Sequence, residues 1–313
     1  MEILAMKKIA IMEKTGFNQE QISRLQSLGE VTFYENLTDE EASKIAPQYD
    51  VVVVNWVDPT PFLMDMHPQS LVALLSTGYG WITNITQARG KNVFVSNIPG
   101  YSTEAVSEHL LGLLLGVSKR IFTQMNIEKD DGVAGFELSK KTVGIIGLGN
   151  IGSRFAEMMN FFGANVLTYN RTPKNNSAVK DVALNDLLTA SDIICITPAV
   201  NEQSKALIND SNYEVLKDGV VVIGSTWDIL TETALVKIIM EKKGVAAFDA
   251  ALEGKQSICD EIKKAFDAFV SEKKLFFTPH SAYNTVEAGV RQLDICISNI
   301  EHFLNGSLQN IVN

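Results

Sequence analysis

The sequence predicts an α/β protein with helices covering two parallel sheets. Three observations predict it. Short apolar runs alternate with amphipathic stretches through the first hundred residues. A second and cleaner series of the same kind runs from Thr142 to Thr278. A glycine string follows directly on the first strand of that second series. Alternation of this kind specifies parallel strands joined by helical crossovers.

In the first series, strands are expected at Lys8–Met12, Val31–Tyr34, Val51–Asn55, Leu71–Ser76 and Val93–Ser96, each a short β-branched or apolar run closed by polar or glycine-bearing residues. Helices are expected at Gln19–Leu28 and Thr38–Ile45, where Thr38 and Glu41 have the spacing of a capping box. A long helix is expected from Thr103, a good N-cap, to about Thr123, with Glu128–Leu138 as a polar arm or linker. The second series gives strands at Thr142–Ile146, Asn165–Tyr169, Asp192–Thr197, Gly219–Ile223, Val245–Phe248 and Leu275–Thr278. Its helices are expected at Asn150–Phe162, Leu184–Thr189, Ser211–Leu216, Glu232–Lys242 and Cys259–Glu272. Six strands with crossovers describe a doubly wound nucleotide-binding domain. A last helix, Val286–Leu304, stops at Gly306.

Composition narrows the function. The 313 residues, 46% hydrophobic and 20% charged, provide full cores for two domains. A net charge of −10 with no basic run argues against a nucleic-acid partner, which needs clustered Lys and Arg. Cysteines 195, 259 and 296 lack metal-ligand spacing and are too few for a disulfide framework. No apolar run reaches the ~20 residues that span a bilayer, and no signal-peptide pattern opens the chain. The expectation is a cytoplasmic protein acting on a small molecule, with no bound metal and no membrane partner.

Val143 to Gly152 reads G-x-G-x-x-G at Gly147, Gly149 and Gly152. The pattern alone is weak, but here a strand precedes it. A helix with apolar residues Ile151, Phe155, Met158, Met159 and Phe162 follows, and Gly163 ends that helix. The first glycine permits the tight turn, the second lets backbone approach a pyrophosphate, and the third lets helix and strand pack closely. The helix N-terminus, opening with Asn150 and Ile151, adds unpaired N–H groups and a positive dipole. This is the Rossmann fingerprint of a nicotinamide dinucleotide site. Asn170, 18 residues beyond Gly152, stands where a carboxylate would hold the ribose 2′-OH of NAD. Asn removes a charge that would repel a 2′-phosphate, and Arg171, Thr172 and Lys174 offer donors to one. NADP is therefore favoured over NAD.

Five stretches together resemble the D-isomer-specific 2-hydroxyacid dehydrogenases, the phosphoglycerate dehydrogenase and hydroxypyruvate reductase-like group. They are Ser76–Gly80, Asn97–Thr103 running into Val106-Ser-Glu-His109, Lys141–Gly152, Ile196-Thr-Pro198 and Thr278–Tyr283. The resemblance implies a Rossmann cofactor domain, about 105–286, inserted into a smaller flavodoxin-like α/β substrate domain, 1–104 and 287–313. The active site would lie in the cleft between them. It further implies cofactor contacts at Thr197, Pro198, Gly224, Ser225, Thr226, Asp249 and His280. Substrate contacts are implied at the loop Gly78, Tyr79, Gly80, and a homodimer through the long helix.

By the same resemblance His280 is the catalytic acid/base, a role suited to imidazole. Two family positions depart from pattern. Counting back from Ala234-Leu235 puts Thr226 where a substrate-binding Arg belongs and Trp227 where Gly belongs, and no Arg or Lys lies between Asp218 and Lys237. The Glu that partners the His is expected at Gly254, so Glu253 serves only if the loop has lost a residue. Arg89 and Lys91 are candidates by charge for the missing cation. Trp56, Trp81 and Trp227 all follow expected strands; either they line an enlarged apolar or aromatic substrate pocket or they serve ordinary core or interdomain packing. Two functions stay open: an NAD(P)H-dependent oxidoreductase with atypical substrate specificity, or a catalytically altered dinucleotide-binding protein.

Overall fold

A computed structural model describes residues 6–35, 37–125, 128–129, 131–172, 179–198, 204–250 and 259–313. The chain divides into two compact units, 1–102 with 285–313 and 103–284.

Unit 1 holds strands β1 (Lys8–Ile11), β2 (Glu30–Phe33), β3 (Val51–Val54), β4 (Ser70–Leu74) and β5 (Val93–Ser96). All pair in parallel in the order β2-β1-β3-β4-β5, the flavodoxin-like winding. Every residue of β3 and β4 is buried, as expected for interior strands of a sheet covered on both faces. The helices are α1 (Gln19–Leu28), α2 (Asp39–Ile45), α3 (Thr60–Leu63), α4 (Ile85–Gly90) and, after the excursion into unit 2, α11 (Val286–Leu304). Asn18 with Gln21 and Thr38 with Glu41 form capping boxes on α1 and α2. The core joins Ala10, Met12, Val52, Phe62 and Val72.

Unit 2 opens with α5 (Thr103–Ser118) and α6 (Ile121–Gln124). The sequence predicts a single helix to about Thr123. It breaks because Arg120 turns left-handed at φ 58° and its guanidinium pairs with Asp131, while the Phe122 ring folds back over Gly116. The sheet contains β6 (Thr142–Ile146), β7 (Asn165–Tyr169), β8 (Lys180–Asp181), β9 (Ile193–Ile196), β10 (Val221–Gly224), β11 (Val245–Asp249) and β12 (Leu275–Thr278). Seven parallel strands among the described residues, rather than six, lie in the order β12-β11-β10-β9-β6-β7-β8. The extra strand, β8, is a two-residue edge too short to carry a pattern.

Helices α7 (Asn150–Phe161), α8 (Leu184–Ala190), α9 (Glu232–Met240) and α10 (Asp260–Ser271) complete the unit. The helix expected at Ser211–Leu216 is only a 3₁₀ turn, Tyr213–Val215. Two apolar layers flank the sheet. One contains Leu110, Leu114, Ile145, Phe155 and Met159 from α5, β6 and α7; the other contains Trp227, Leu235, Phe248 and Phe266. The first layer absorbs the broad apolar face of α5. Among the described residues no helix is long and apolar enough to cross a membrane.

Candidate active site

In unit 2 the order of strands reverses between β6 and β9, the switch point where open α/β sheets bind ligands at their carboxyl ends. Gly147, Leu148 and Gly149 turn the chain there from β6 into α7. Gly147 sits at φ 95°, and a Cβ would come within 2.7 Å of the Pro198 nitrogen. A Cβ on Gly152 would stand 2.0 Å from the Gly147 carbonyl oxygen, so only glycine lets α7 start this close to the turn. Thr197 donates its hydroxyl to that same carbonyl at 2.6 Å. The turn is held from the other side by Asn170, whose Oδ1 accepts the Leu148 N–H at 2.5 Å.

These residues fit a dinucleotide. A Cβ on Gly149 would meet nothing within 4 Å, which leaves space above the turn for a pyrophosphate. Asn150, first in α7, is exposed there, with Ile151 half-buried behind it. Asn170 Oδ1 accepts the Leu148 N–H, and its Nδ2 is buried with no partner among the described residues. Arg171 and Thr172 are exposed immediately after it. Lys174 and Glu253 lie outside the described residues.

Along the same carboxyl edge, Gly224 ends β10 and Ser225 pairs through its N–H with Ile196. Two expectations are corrected here. The Thr226 hydroxyl donates to Asp228 Oδ2 at 3.0 Å and accepts the Asp228 N–H at 3.2 Å, closing a local turn. A hydroxyl so engaged cannot replace a guanidinium fork. Trp227 does not face a ligand: it is 1% exposed and packs edge-on against Phe266 at 5.7 Å.

Asp249, at the end of β11, is also buried, and its carboxylate is spent inside the unit. It accepts the Thr278 hydroxyl at 2.6 Å, the Ser281 N–H at 2.9 Å and the Ala282 N–H at 2.8 Å. Whatever it offers a cofactor, it clamps the turn after β12. That turn carries His280, exposed at φ 52°, with its ring 5.9 Å from that of Tyr283. A left-handed histidine is an uncommon conformation that surroundings must enforce. The sequence motif around His109 implies no role for its ring. The structure gives it one, because His109 Nε2 lies 2.8 Å from the Thr278 hydroxyl.

Unit 1 places the remaining candidates at the carboxyl ends of β3 and β4. Glu13 accepts the N–H groups of Asn55, Trp56 and Val57 at 2.6, 2.8 and 3.1 Å, fixing the loop after β3. Trp56 is 80% exposed, yet its indole N–H donates to the Asn55 side chain at 2.9 Å, and that amide donates to the Leu75 carbonyl. After β4, Asn97 donates to the Thr77 carbonyl and Ser76 to that of Gly78. Tyr79 and Trp81 are partly exposed on this loop, Trp81 lying 3.3 Å from the position of a Gly78 Cβ, with Gly80 open. Neither Arg89 nor Lys91 supplies the missing cation. Arg89 stacks on Phe94 and Lys91 holds the Met64 carbonyl. Cys195 and Cys296 are wholly buried, which pushes both thiols upward, Cys296 to about 12, so neither suits a nucleophile.

Comparison with known proteins agrees with this architecture. The hydroxypyruvate reductase of Blautia hydrogenotrophica is 28% identical over 308 residues, covering 92% of this chain and 94% of that protein. The 2-hydroxyacid dehydrogenase homolog 2 of Schizosaccharomyces pombe is 30% identical over 260 residues, 77% of this chain and 78% of its own. Among solved structures, an acyclic imino acid reductase (Bsp5) in complex with NADPH and D-Arg superposes with a TM-score of 0.84 at 23% identity. The superposition covers 98% of this chain and all of that one. Residues 111–282, more than half of the chain, match the family pattern "D-isomer specific 2-hydroxyacid dehydrogenase, NAD binding domain". With the glycine turn at the switch point and a histidine on the turn after β12, the chain belongs to the D-isomer specific 2-hydroxyacid dehydrogenase family and carries its nicotinamide dinucleotide-binding domain.

Proposed function

We propose that this chain is an NADPH-preferring reductase of a 2-oxo acid or related carbonyl compound bearing a bulky apolar group. The observation that carries the reading is the turn after β12. Buried Asp249 holds both flanks of an exposed, left-handed His280 at the carboxyl edge of the sheet whose glycine turn fits the coenzyme. A reduced nicotinamide supplies hydride when bound. His280 then gives a proton to the carbonyl oxygen as it becomes a hydroxyl, general-acid catalysis worth about 10²–10⁴-fold. Arg171 and Thr172, exposed just after the uncharged Asn170, support NADPH over NADH, since a 2′-phosphate needs donors and no carboxylate stands there to repel it.

The substrate class is read from two separate features, the missing arginine of unit 2 and the aromatics of unit 1. Thr226 is engaged with Asp228, so no side chain of that turn forks onto a carboxylate. Trp56, Tyr79 and Trp81 instead offer an apolar, partly exposed surface in unit 1, and Trp56 is held in place at both backbone and indole. Such pre-ordered aromatics lose little freedom when a ligand covers them.

A second reading, a dinucleotide-binding protein without hydride transfer, draws on that same engaged Thr226. One experiment separates the two. NADPH oxidation is followed over a panel of 2-oxo acids graded from glyoxylate and pyruvate to phenylpyruvate, with wild type and His280→Asn. The expected result is weak turnover of the small acids, faster turnover of the bulky ones, and a loss of about 10²-fold or more in kcat for the variant. Family-like rates on pyruvate would overturn the substrate assignment. No turnover of any member, with NADPH still bound, would favour the second reading.

A further inference from the structure

We propose that His109 is a positioning residue for His280, acting through Thr278 and Asp249 to fix the turn that presents the catalytic imidazole. The inference rests on the acid/base role assigned to His280. His109 stands on α5, 169 residues from Thr278 in sequence, and its ring is about three-quarters buried. Its Nε2 lies 2.8 Å from the Thr278 hydroxyl, and that hydroxyl lies 2.6 Å from Asp249 Oδ1.

Proton counting fixes the direction of this chain. Asp249 Oδ1 already accepts the Ser281 N–H, so it serves as an acceptor and the Thr278 hydroxyl donates to it. A hydroxyl has one proton to give. The bond between His109 and Thr278 therefore runs from Nε2–H to the hydroxyl oxygen. His109 carries its proton on Nε2 and feeds the carboxylate through the threonine, with Nε2 itself 3.8 Å from Asp249 Oδ1.

The result brackets His280 on both sides. Thr278 before it and Ser281 and Ala282 after it all bond to Asp249. The His280 N–H donates to the Thr278 carbonyl at 2.8 Å, closing the chain tightly around Pro279. A residue at φ 52° without glycine's freedom keeps that conformation only while its neighbours enforce it. His109 is the one member of the bracket supplied by α5, so it fixes the strand end to the helix. Polar chains of this kind hold geometry when every member is satisfied.

The chain has four histidines, 67, 109, 280 and 302, so ¹⁵N-histidine spectra can be assigned by single substitutions. In the wild-type protein His109 is expected as a single Nε2–H tautomer with a slowly exchanging proton. An Nδ1–H tautomer would overturn the proposal without any variant. In His109→Leu and Thr278→Val the His280 resonances are expected to shift or broaden while those of His67 and His302 stay. His109→Gln and Thr278→Ser, which keep the donor and the hydroxyl, should leave His280 near its wild-type position. Unchanged His280 resonances in a folded His109→Leu or Thr278→Val protein would overturn the coupling.

With any substrate wild type reduces, His109→Leu should lower kcat about tenfold or more. The NADPH Kd should stay within twofold, and His109→Gln should recover most of the loss. Equal losses in His109→Gln and His109→Leu would mark His109 as mere packing and overturn the proposal. The spectra read the coupling even if His280→Asn retains full activity, a result that would sink the acid/base role alone.

Discussion

Two glycines three residues apart make opposite demands, and substitution separates fold from ligand. A methyl on Gly152 meets the Gly147 carbonyl at 2.0 Å, contact with backbone that cannot step aside. Gly152→Ala should cost at least about 1–3 kcal/mol of stability by overpacking. A methyl on Gly149 meets no atom within 4 Å, and this residue lies in the extended region at φ −77°. Gly149→Ala should therefore fold with a loss of no more than about 1 kcal/mol, the scale of an N-cap change. It should nevertheless weaken NADPH at least about tenfold, or 1.4 kcal/mol, because the methyl occupies the space the pyrophosphate needs. Urea melts and fluorescence titration check both halves. NADPH binding unaltered in Gly149→Ala would mean that no phosphate rests on this turn. The glycine spacing made this site legible in the sequence. The clamp on His280 was not, since Asp249, Thr278 and His109 gain their meaning only when β11, β12 and α5 come together.

At the level of elements, each strand with a continuous apolar run was readable, because buried parallel strands need no alternation. Those runs also fixed where helices had to cross. What escaped were features set by tertiary partners: the break at Arg120, imposed by Asp131 and Phe122, and the turn that buries Trp227 against Phe266. Charge at a strand end is another. Asp192 precedes β9 and accepts the Thr142 N–H opening β6 and the Lys217 ammonium, both at 2.8 Å. Partial burial opposes its ionisation, but Lys217 and the Thr142 N–H outweigh that and hold its carboxyl below the ordinary range. A depressed value in the folded state stabilises the protein above the unfolded value, about 3.9. That contribution disappears as pH falls through the folded value. Asp192→Asn should accordingly be less stable than wild type at pH 7, and the gap should close as pH drops below about 4. A gap that stays constant from pH 7 to pH 3 would assign the loss to packing.

For the whole molecule, two units with separate cores allow coenzyme binding to be read in one of them alone. Trp56 and Trp81 belong to unit 1 and Trp227 to unit 2, and the chain has three tryptophans. A chain carrying Trp56→Phe and Trp81→Phe thus reports the unfolding of unit 2 through one buried indole. Ligand that binds only the folded form stabilises it by RT ln(1 + [L]/Kd), about 2.7 kcal/mol at a hundredfold excess over Kd. For a unit of this size that amounts to a rise of about 5–10 °C in the Trp227 transition. NADPH should give the larger rise and NADH a smaller one at equal concentration, because position 170 lacks the carboxylate that holds a ribose 2′-OH and Arg171 and Thr172 follow it exposed. Asn170→Asp should reverse that order, since its carboxylate accepts from a ribose 2′-OH and repels a 2′-phosphate. If NADH stabilises the Asn170 protein as well as NADPH does, the preference does not reside at the end of β7. If neither coenzyme moves the transition, the glycine turn is not a coenzyme site in this chain, and the reductase reading goes with it.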